Sequence, residues 1–188
     1  MLAVSRRIKF LHMKNSGRPA PTEVAAYFQR YIDKAHGDDL LEALEHASDR
    51  MWETVYRIPT GYADHRYAPG KWTVKDIFQH LIDTERIFCY RALRFARNDR
   101  TELPGFDENA YAVNAATADR ELHQLLRELD LQRASTIALF SSFSDEMLLR
   151  SGIANGNAIS VRALGWTIAG HVHHHMDVID ERYLGIVR

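Results

Sequence analysis

Apolar residues recur along this chain every three to four positions, which is the spacing of amphipathic helices. The pattern predicts a short helix at 22–35 and four long helices at 38–56, 73–97, 117–142 and 161–184. Two loops rich in proline and glycine lie at 57–71 and 98–109, and residues 152–157 form a turn-rich connection or a short hairpin. With no convincing strand elsewhere, the chain is predicted to be all-α, a four-helix bundle.

Residues that favour helix N-termini stand before four of the five predicted helices. Thr22 and Asp38 are placed to cap the first two helices, and Ser160 is placed to cap the last one. Thr73-Val74-Lys75-Asp76 resembles a capping box, in which each end residue's side chain accepts a hydrogen bond from the backbone of the other. The helix that begins at Thr73 is therefore the most clearly marked element of the chain.

The bulk composition is that of an ordinary soluble protein, with 46% hydrophobic and 26% charged residues among 188. Residues 1–20 are expected to form an irregular extension, because Pro19 and Pro21 block regular structure, and residues 21–188 to form one domain. The net charge of -1 argues against a nucleic-acid partner, and no apolar run approaches the ~20 residues of a membrane span. The single Cys89 excludes an internal disulfide, so we expect a reducing, cytoplasmic setting.

Four histidines stand within five positions in Gly170-His171-Val172-His173-His174-His175-Met176. In a helix, His171 and His175 lie one turn apart on a face that they share with apolar residues, so this pair is predicted to point inward. His173 and His174 are predicted to face the polar side. Two neutral imidazoles one turn apart can bind a transition metal, whereas burying them without partners costs free energy. A pair of core histidines with ordinary hydrogen-bond partners is the alternative.

A metal site needs a further ligand from another helix, and His80 is the best candidate. It lies two turns into the helix at 73–97 and shares its face with Thr84 and Ile87. Alone, such a histidine is more often a core or boundary residue, but beside the inward pair it becomes a predicted ligand. The remaining histidines stand at helix ends, in loops or among polar neighbours and are predicted to be solvated: His12, His36, His46, His65 and His123.

Glu85 falls in the middle of the apolar stripe of the same helix. A buried carboxylate needs a partner, because an unpaired buried charge is very costly. One alternative is a buried salt bridge or a hydrogen bond to loop backbone, and the other is a catalytic role, as an acceptor for a ligand N–H or as a general base. Cys89 lies about half a turn around the helix from His80, so it is predicted to be a packing residue.

Three segments of the chain resemble, in order, the motifs of one family. They are 70–85 (GKWTVKDIFQHLIDTE), 103–107 (LPGFD), and 160–175, which runs from SVRAL into GHVHHH. The first resembles the helix-2 signature of the DinB superfamily, the second resembles the segment that follows it, and the third resembles that family's C-terminal metal helix. The resemblance covers roughly residues 22–185.

This resemblance implies a DinB-like four-helix bundle with a long crossover connection, often dimeric. It also implies a divalent metal held by three histidines, here His80, His171 and His175, which the helical spacing also favours. Characterised members include transferases and isomerases that use low-molecular-weight thiols such as bacillithiol, mycothiol or glutathione, while many others have no established activity. A homodimer and a small-molecule substrate are therefore expected, with a low-molecular-weight thiol as a candidate co-substrate.

Three neutral imidazoles leave at least one coordination position open, which is typical of catalytic zinc sites. The chain has no nucleophilic serine motif and no second cysteine, so the metal would have to supply the reactivity. Zinc is the first choice, and nickel, iron or manganese are alternatives because histidine sites discriminate poorly among them. The sequence thus predicts a metal-dependent hydrolase or thiol-dependent transferase that acts on small electrophilic substrates. The alternatives are a non-enzymatic metal-binding stress-response protein or dimeric scaffold, and a vestigial site on a structural bundle.

Overall fold

The computed structural model describes residues 16–186, and most of that range is helical. Its α-helices are α1 (Ala26–Ile32), α2 (Leu40–Val55), α3 (Val74–Ala96), α4 (Glu108–Asn114), α5 (Leu122–Ser141), α6 (Asp145–Leu149) and α7 (Val161–Val178). An antiparallel hairpin, β1 (Ser151–Ala154) and β2 (Asn157–Ser160), precedes α7, and a π-helical turn, Ile179–Tyr183, follows it. Short 3-10 turns lie at Pro21–Glu23, Tyr62–Asp64 and Thr117–Asp119.

The four long helices, α2, α3, α5 and α7, form a bundle around a shared apolar core. Helix α7 packs against both α2 and α3, and α5 packs against the same two helices. Helices α2 and α3 follow each other along the chain yet occupy opposite corners of the bundle, so the segment between them, residues 56–73, crosses from one side to the other. The predicted four-helix bundle with a long crossover is confirmed.

Side chains at the helix starts bind backbone N–H groups that have no partner within the helix. Asp39, and not the predicted Asp38, caps α2, since its carboxylate accepts hydrogen bonds from two N–H groups of the first turn at 2.9 and 3.0 Å. The capping box of α3 is confirmed, because Thr73 and Asp76 each accept a hydrogen bond from the other's backbone N–H, at 3.0 and 2.8 Å. Ser160 caps α7 as predicted.

Several short elements differ from the prediction. The first helix is α1 and not 22–35, because Thr22 belongs to the preceding 3-10 turn and the backbone is extended at Val24. The predicted loop at 98–109 ends in α4, whose first turn is capped by Asp107. The turn-rich connection is a hairpin, which was one of its two alternatives, and α7 ends at Val178 where its hydrogen bonding widens into the π turn.

Residues 16–20 have no regular secondary structure, and the rest of the predicted extension, with His12, lies outside the described residues. Arg18 nevertheless fixes this segment to the bundle. Its guanidinium donates to the carbonyl oxygens of Ile32, at 2.8 Å, and Ala35, and it lies 4.6 Å from the ring centre of Trp166. None of the described helices is both long and apolar enough to cross a membrane.

Helix α1 contacts α7 so closely that only glycine fits at the crossing. A Cβ atom on Gly170 would stand 1.7 Å from the carbonyl oxygen of Tyr31 and 2.4 Å from its carbonyl carbon. Because these are backbone atoms, they cannot turn aside as a flexible side chain can. The contact brings the ring of Tyr31 to 5.2 Å from the ring of His171, the next residue of α7. A glycine contact thus sets one wall of the site described below.

Candidate metal centre

Three histidines from α3 and α7 meet inside the bundle. His80 comes from the second turn of α3, and His171 and His175 come from successive turns of α7. The Nε2 atom of His171 lies 3.2 Å from Nε2 of His80 and 3.0 Å from Nε2 of His175. Ligand atoms of all three lie within 4.8 Å of one another, and no other set of three such side chains meets in this way within residues 16–186. The structure thus brings together the three residues that the sequence singled out.

Two of the three nitrogen separations match those around a single divalent metal ion. Nitrogens bound to one tetrahedral zinc ion at ~2.0–2.1 Å stand roughly 3.3–3.4 Å apart, and the contacts of 3.0 and 3.2 Å are close to that value. Without a metal, the single lone pair on Nε2 of His171 cannot accept a hydrogen bond from both neighbours. One metal ion would engage the lone pairs of all three imidazoles at once.

Burial keeps the three imidazoles neutral. It lowers the pKa of His80 to about 4 and holds the pKa values of His171 and His175 well below the usual range, and neighbouring imidazoles lower them further. His171 is 8% exposed, and the other two are half-buried. A neutral imidazole keeps the lone pair through which it binds a metal. At neutral pH the cluster therefore presents lone pairs and not positive charges.

Neighbouring side chains contact the rings of the three histidines. The hydroxyl oxygen of Thr84, one turn after His80 on α3, lies 3.4 Å from Nδ1 of that histidine. The indole of Trp72 packs against the ring of His80, with ring centres 4.8 Å apart. Nδ1 of His175 is buried and has no hydrogen-bond partner among the described residues. A metal-binding histidine usually donates its second N–H to an acceptor, and Thr84 is placed to be that acceptor for His80.

The three histidines line a cavity of about 340 Å³, a volume that suits a small molecule. Two arginines, Arg30 of α1 and Arg91 of α3, line the same cavity, as does the exposed carboxylate of Glu108 at the start of α4. The cavity therefore combines metal-binding nitrogens, guanidinium groups and apolar surface. Much of its wall is aromatic, formed by Tyr27, Phe28, Tyr31, Trp72, Phe88 and Phe106.

Glu85 lies away from this cavity, in a different buried cluster. Its oxygens accept hydrogen bonds from Nε and Nη2 of Arg133, at 2.9 and 2.8 Å, and from the hydroxyl of Thr136 at 2.6 Å. Arg133 also donates to the carbonyl oxygen of Leu44 at 2.7 Å. A buried salt bridge was one of the two alternatives for Glu85, and it is the one seen. Because both oxygens are engaged there and Glu85 does not line the cavity, we assign it no catalytic role.

Cys89 and His173, which the sequence did not predict to be ligands, lie outside the group of three histidines. Cys89 contacts the hydroxyl of Thr136 at 3.2 Å, and burial raises the pKa of its thiol to about 12, as suits a packing residue. His173 was predicted to face the polar side, yet it is only 5% exposed, and its ring lies 4.8 Å from that of His36. The spacing of α7 could not reveal this burial, because the covering residues come from α2 and the segment before it.

The sequence-based prediction missed His174, which was placed on the polar side yet lines the cavity, and the cavity residues that are not histidines. Tyr31 comes from α1, whose pattern is too short to assign a buried face. Arg91 could have been found, because His80, Thr84, Phe88 and Arg91 follow one another on α3 at steps of four, four and three residues. These positions share one face of the helix, and all of them line the cavity.

Comparisons with known proteins identify the family. The family model of the DinB superfamily matches residues 43–179. A protein of Oceanobacillus iheyensis, named a putative metal-dependent hydrolase, is 24% identical over 138 residues, which are 72% of this chain and 79% of the relative. Among solved structures, YfiT from Bacillus subtilis, described as a probable metal-dependent hydrolase with an unusual four-helix bundle topology, is similar with a TM-score of 0.66. That match has 18% identity and covers 91% of this chain and 95% of YfiT. Since the family model spans well over half of the chain, this protein belongs to the DinB superfamily, as its motifs predict.

Proposed function

We propose that the protein is a metal-dependent hydrolase whose divalent metal, zinc in the first place, is held by His80, His171 and His175. The observation that carries the proposal is the convergence of three neutral imidazole nitrogens, with neighbouring Nε2 atoms 3.0 and 3.2 Å apart, in the wall of a cavity. The names of the two relatives support the reaction class. A cavity of about 340 Å³ limits the substrate to a small molecule, which we take to be an electrophile.

The donor set is that of a catalytic and not a structural site. Structural zinc sites have four protein ligands, and no fourth histidine, cysteine or carboxylate joins the three within residues 16–186. When bound by three histidines, a divalent metal keeps an open position in which it lowers the pKa of a water to ~7 and polarises a carbonyl. All three ligand residues line the cavity, so a substrate in the cavity would reach that position.

The other cavity residues would orient the substrate and exclude water. Burial raises the pKa of Tyr31 to about 12, so its phenol stays protonated at neutral pH, and Arg30 donates to the phenol oxygen at 2.8 Å. A protonated phenol in the cavity wall is a candidate hydrogen-bond donor to negative charge that develops on the substrate. The aromatic wall limits the access of bulk water, which strengthens such interactions.

Metal analysis joined to a substrate screen tests the proposal. Full-length protein purified without a histidine tag should contain about one divalent metal ion per chain, measured by mass spectrometry. It should hydrolyse members of a panel of small esters and amides, and a chelator should abolish the activity until zinc, nickel, iron or manganese is added back. His171→Ala should remove both metal and activity. The matched control His123→Ala, at an exposed position of α5, should remove neither.

The same screen separates hydrolysis from thiol-dependent transfer. Each substrate is offered with and without glutathione, because hydrolysis proceeds without the thiol, whereas transfer requires it and forms a new carbon–sulfur bond. Full metal content in a folded His171→Ala variant would contradict the proposed metal centre. Metal binding with no turnover under any of these conditions would favour the non-enzymatic metal-binding role.

A further inference from the structure

We propose that the substrate carries an oxyanion group, a carboxylate or a phosphate, and that Arg91 binds this group while the reacting bond lies at the three histidines. The inference rests on the proposed function for the reaction, but its binding step can be measured without turnover. It narrows the substrate class to small molecules with one anionic end and an apolar body, and it assigns Arg91 as a substrate-binding residue.

Arg91 and His80 belong to one stripe of α3 that runs along the cavity. Thr84 and Phe88 lie between them on the same face, and all four side chains line the cavity. The helix rises ~16 Å between positions 80 and 91, at about 1.5 Å per residue. Long helical side chains lean toward the N-terminus of their helix, which for Arg91 is the direction of His80. Because both side chains line one cavity of about 340 Å³, a small molecule in it can reach the guanidinium and the three histidines together.

Arg91 is a buried cation without a buried anion beside it. It is only 4% exposed, and it forms no ion pair with any carboxylate of residues 16–186. The two other buried arginines of that range differ, because Arg50 pairs with Asp180 at 2.9 Å and Arg133 pairs with Glu85 at 2.8 Å. Burial lowers the pKa of Arg91, with no carboxylate to offset the effect. A buried charge without its counterion is costly, so this position favours an anion that arrives from outside the chain.

The contacts that Arg91 does make hold its guanidinium in place without saturating it. Nη2 donates to the carbonyl oxygen of Pro104 at 2.8 Å, and the guanidinium carbon lies 5.5 Å from the ring centre of Phe88. A guanidinium has five N–H donors in a planar fork, and its other donors have no acceptor within the described residues. Such a fork binds a carboxylate or a phosphate through two parallel hydrogen bonds.

The charges and the apolar surface of the other cavity residues also favour an anionic substrate with an apolar body. Arg30 supplies a second guanidinium, held 4.1 Å from the ring centre of Tyr27. Glu108, which is exposed, contributes the one carboxylate among the described residues that line the cavity. The rings of Phe28 and Phe88 meet edge to face with centres 6.1 Å apart and offer apolar surface. Together these groups favour an anion with an apolar body over a neutral or cationic molecule.

An NMR titration of the full-length, metal-containing protein tests the inference. The probes are benzoate, phenyl phosphate and neutral benzamide, and the protein carries nitrogen-15 in its arginines. At least one oxyanion probe should bind about tenfold or more tightly than benzamide. The same probe should move the Nε–H signal of Arg91, which benzamide should leave in place. A preference for benzoate would identify a carboxylate as the recognised group, and a preference for phenyl phosphate would identify a phosphate.

Variants of Arg91 test whether this residue causes the preference for oxyanion probes over benzamide. Arg91→Gln should reduce the ratio of oxyanion affinity to benzamide affinity about tenfold, and Arg91→Lys, which keeps the charge but not the fork, should fall between. The matched control is Arg86→Gln, an exposed arginine of the same helix that pairs with Glu128 at 2.8 Å and does not line the cavity. The ratio is the readout because, if Arg91 only supported the structure through its hydrogen bond to Pro104, its replacement would weaken the binding of all three probes alike.

Three results would overturn the inference. They are equal affinities for the three probes in the wild type, an Arg91 signal that does not move at saturating oxyanion, and an unchanged ratio in folded Arg91→Gln. The first two use the wild type alone and decide the matter if that variant fails to fold. His80→Ala separates this inference from the proposed function, since it should lose metal and turnover yet keep the Arg91-dependent preference. A wild type that prefers oxyanions but hydrolyses nothing would refute the hydrolase alone.

Discussion

Two of the clusters of ionisable side chains that are buried within residues 16–186 differ in whether the chain itself supplies all of their partners. In the cluster of Glu85 and Arg133, opposite charges meet, and both carboxylate oxygens receive hydrogen bonds. In the cluster of His80, His171 and His175, burial disfavours the charged form of all three imidazoles, and Nε2 of His171 lies 3.2 and 3.0 Å from Nε2 of the other two. The first cluster is satisfied by the chain itself. In the proposed function the second cluster is satisfied when a metal binds, and this difference would distinguish a binding site from a structural ion pair.

The two clusters share α3, and its helical phase assigns each residue to a cluster. His80 and Glu85 are five positions apart, so their side chains point about 140° apart around the helix. One faces α7, which supplies two more histidines, and the other faces α5, which supplies Arg133. The helix that packs opposite a buried polar residue of α3 thus determines which partners that residue has.

The largest expected loss of stability comes from breaking the ion pair of Glu85 and Arg133. Arg133→Met leaves the carboxylate of Glu85 buried without its counterion, which should lower the free energy of unfolding by about 3–5 kcal/mol. Urea denaturation monitored by circular dichroism measures the loss. Metal affinity should stay unchanged in the fraction that is folded. Replacing both residues, as Glu85→Leu with Arg133→Met, should recover most of the loss, and a double variant as unstable as the single one would contradict this account.

Metal removal is the matching test of the cluster of His80, His171 and His175, and the loss of stability should be smaller. A metal that binds only the folded state at about 100 times its Kd adds ~2.7 kcal/mol. Chelation should therefore lower the Tm by roughly 5–10 °C for a chain of this length, and zinc should restore it. His80→Ala should abolish the zinc-dependent increase, although the other two ligands remain. The bundle should stay folded without metal, so global unfolding on chelation would instead make the site structural.

The helical pattern of the sequence was enough to predict the bundle and the three histidines that meet in it. The spacing of His171 and His175 is a property of one helix, and both the apolar stripe and the capping box of α3 are local signals. The motifs then named the family that the comparison confirms. Prediction worked where a residue's environment follows from its own helix.

The sequence could not identify contacts whose partners lie elsewhere in the chain. The counterion of Glu85 lies 48 positions away on α5, and the aromatic wall beside His171 comes from α1, 140 positions earlier. The burial of His173 depends on residues near α2 that no pattern in α7 reveals. Short helices such as α4 were missed because a single cap, Asp107, is a weak signal inside a segment rich in loop residues.

A third test displaces Tyr31 of α1, which packs beside the three histidines, and leaves the residues of both clusters unchanged. In Gly170→Ala, the new Cβ would meet the Tyr31 backbone, so α1 must shift, at a cost of about 1–3 kcal/mol. Thermal melting measures the cost, and ring contacts between Tyr31 and His171 in NMR spectra report the displacement. The matched control is Gly165→Ala on the same helix, where the atoms nearest to the new Cβ are side-chain atoms of Leu40 and Phe140, at 2.8 and 2.9 Å. Because side chains can rearrange, the control should lose less stability, and equal losses would contradict the role of the α1 contact.

The smallest effect should come from the histidine that is buried beside the cluster but does not join it. His173→Ala removes a ring that packs on His36, and we expect it to cost about 1 kcal/mol of stability. Its metal content should equal that of the wild type, because its ring belongs to a pocket on the α2 side of α7 and not to the group of three. His175→Ala, two residues along the same helix, should lose most of the metal. Mass spectrometry of the two variants, purified side by side, makes the comparison. Equal losses of metal would mean that any buried histidine of α7 contributes to metal binding, whichever side of the helix it faces. The group of His80, His171 and His175 would then not be the metal site.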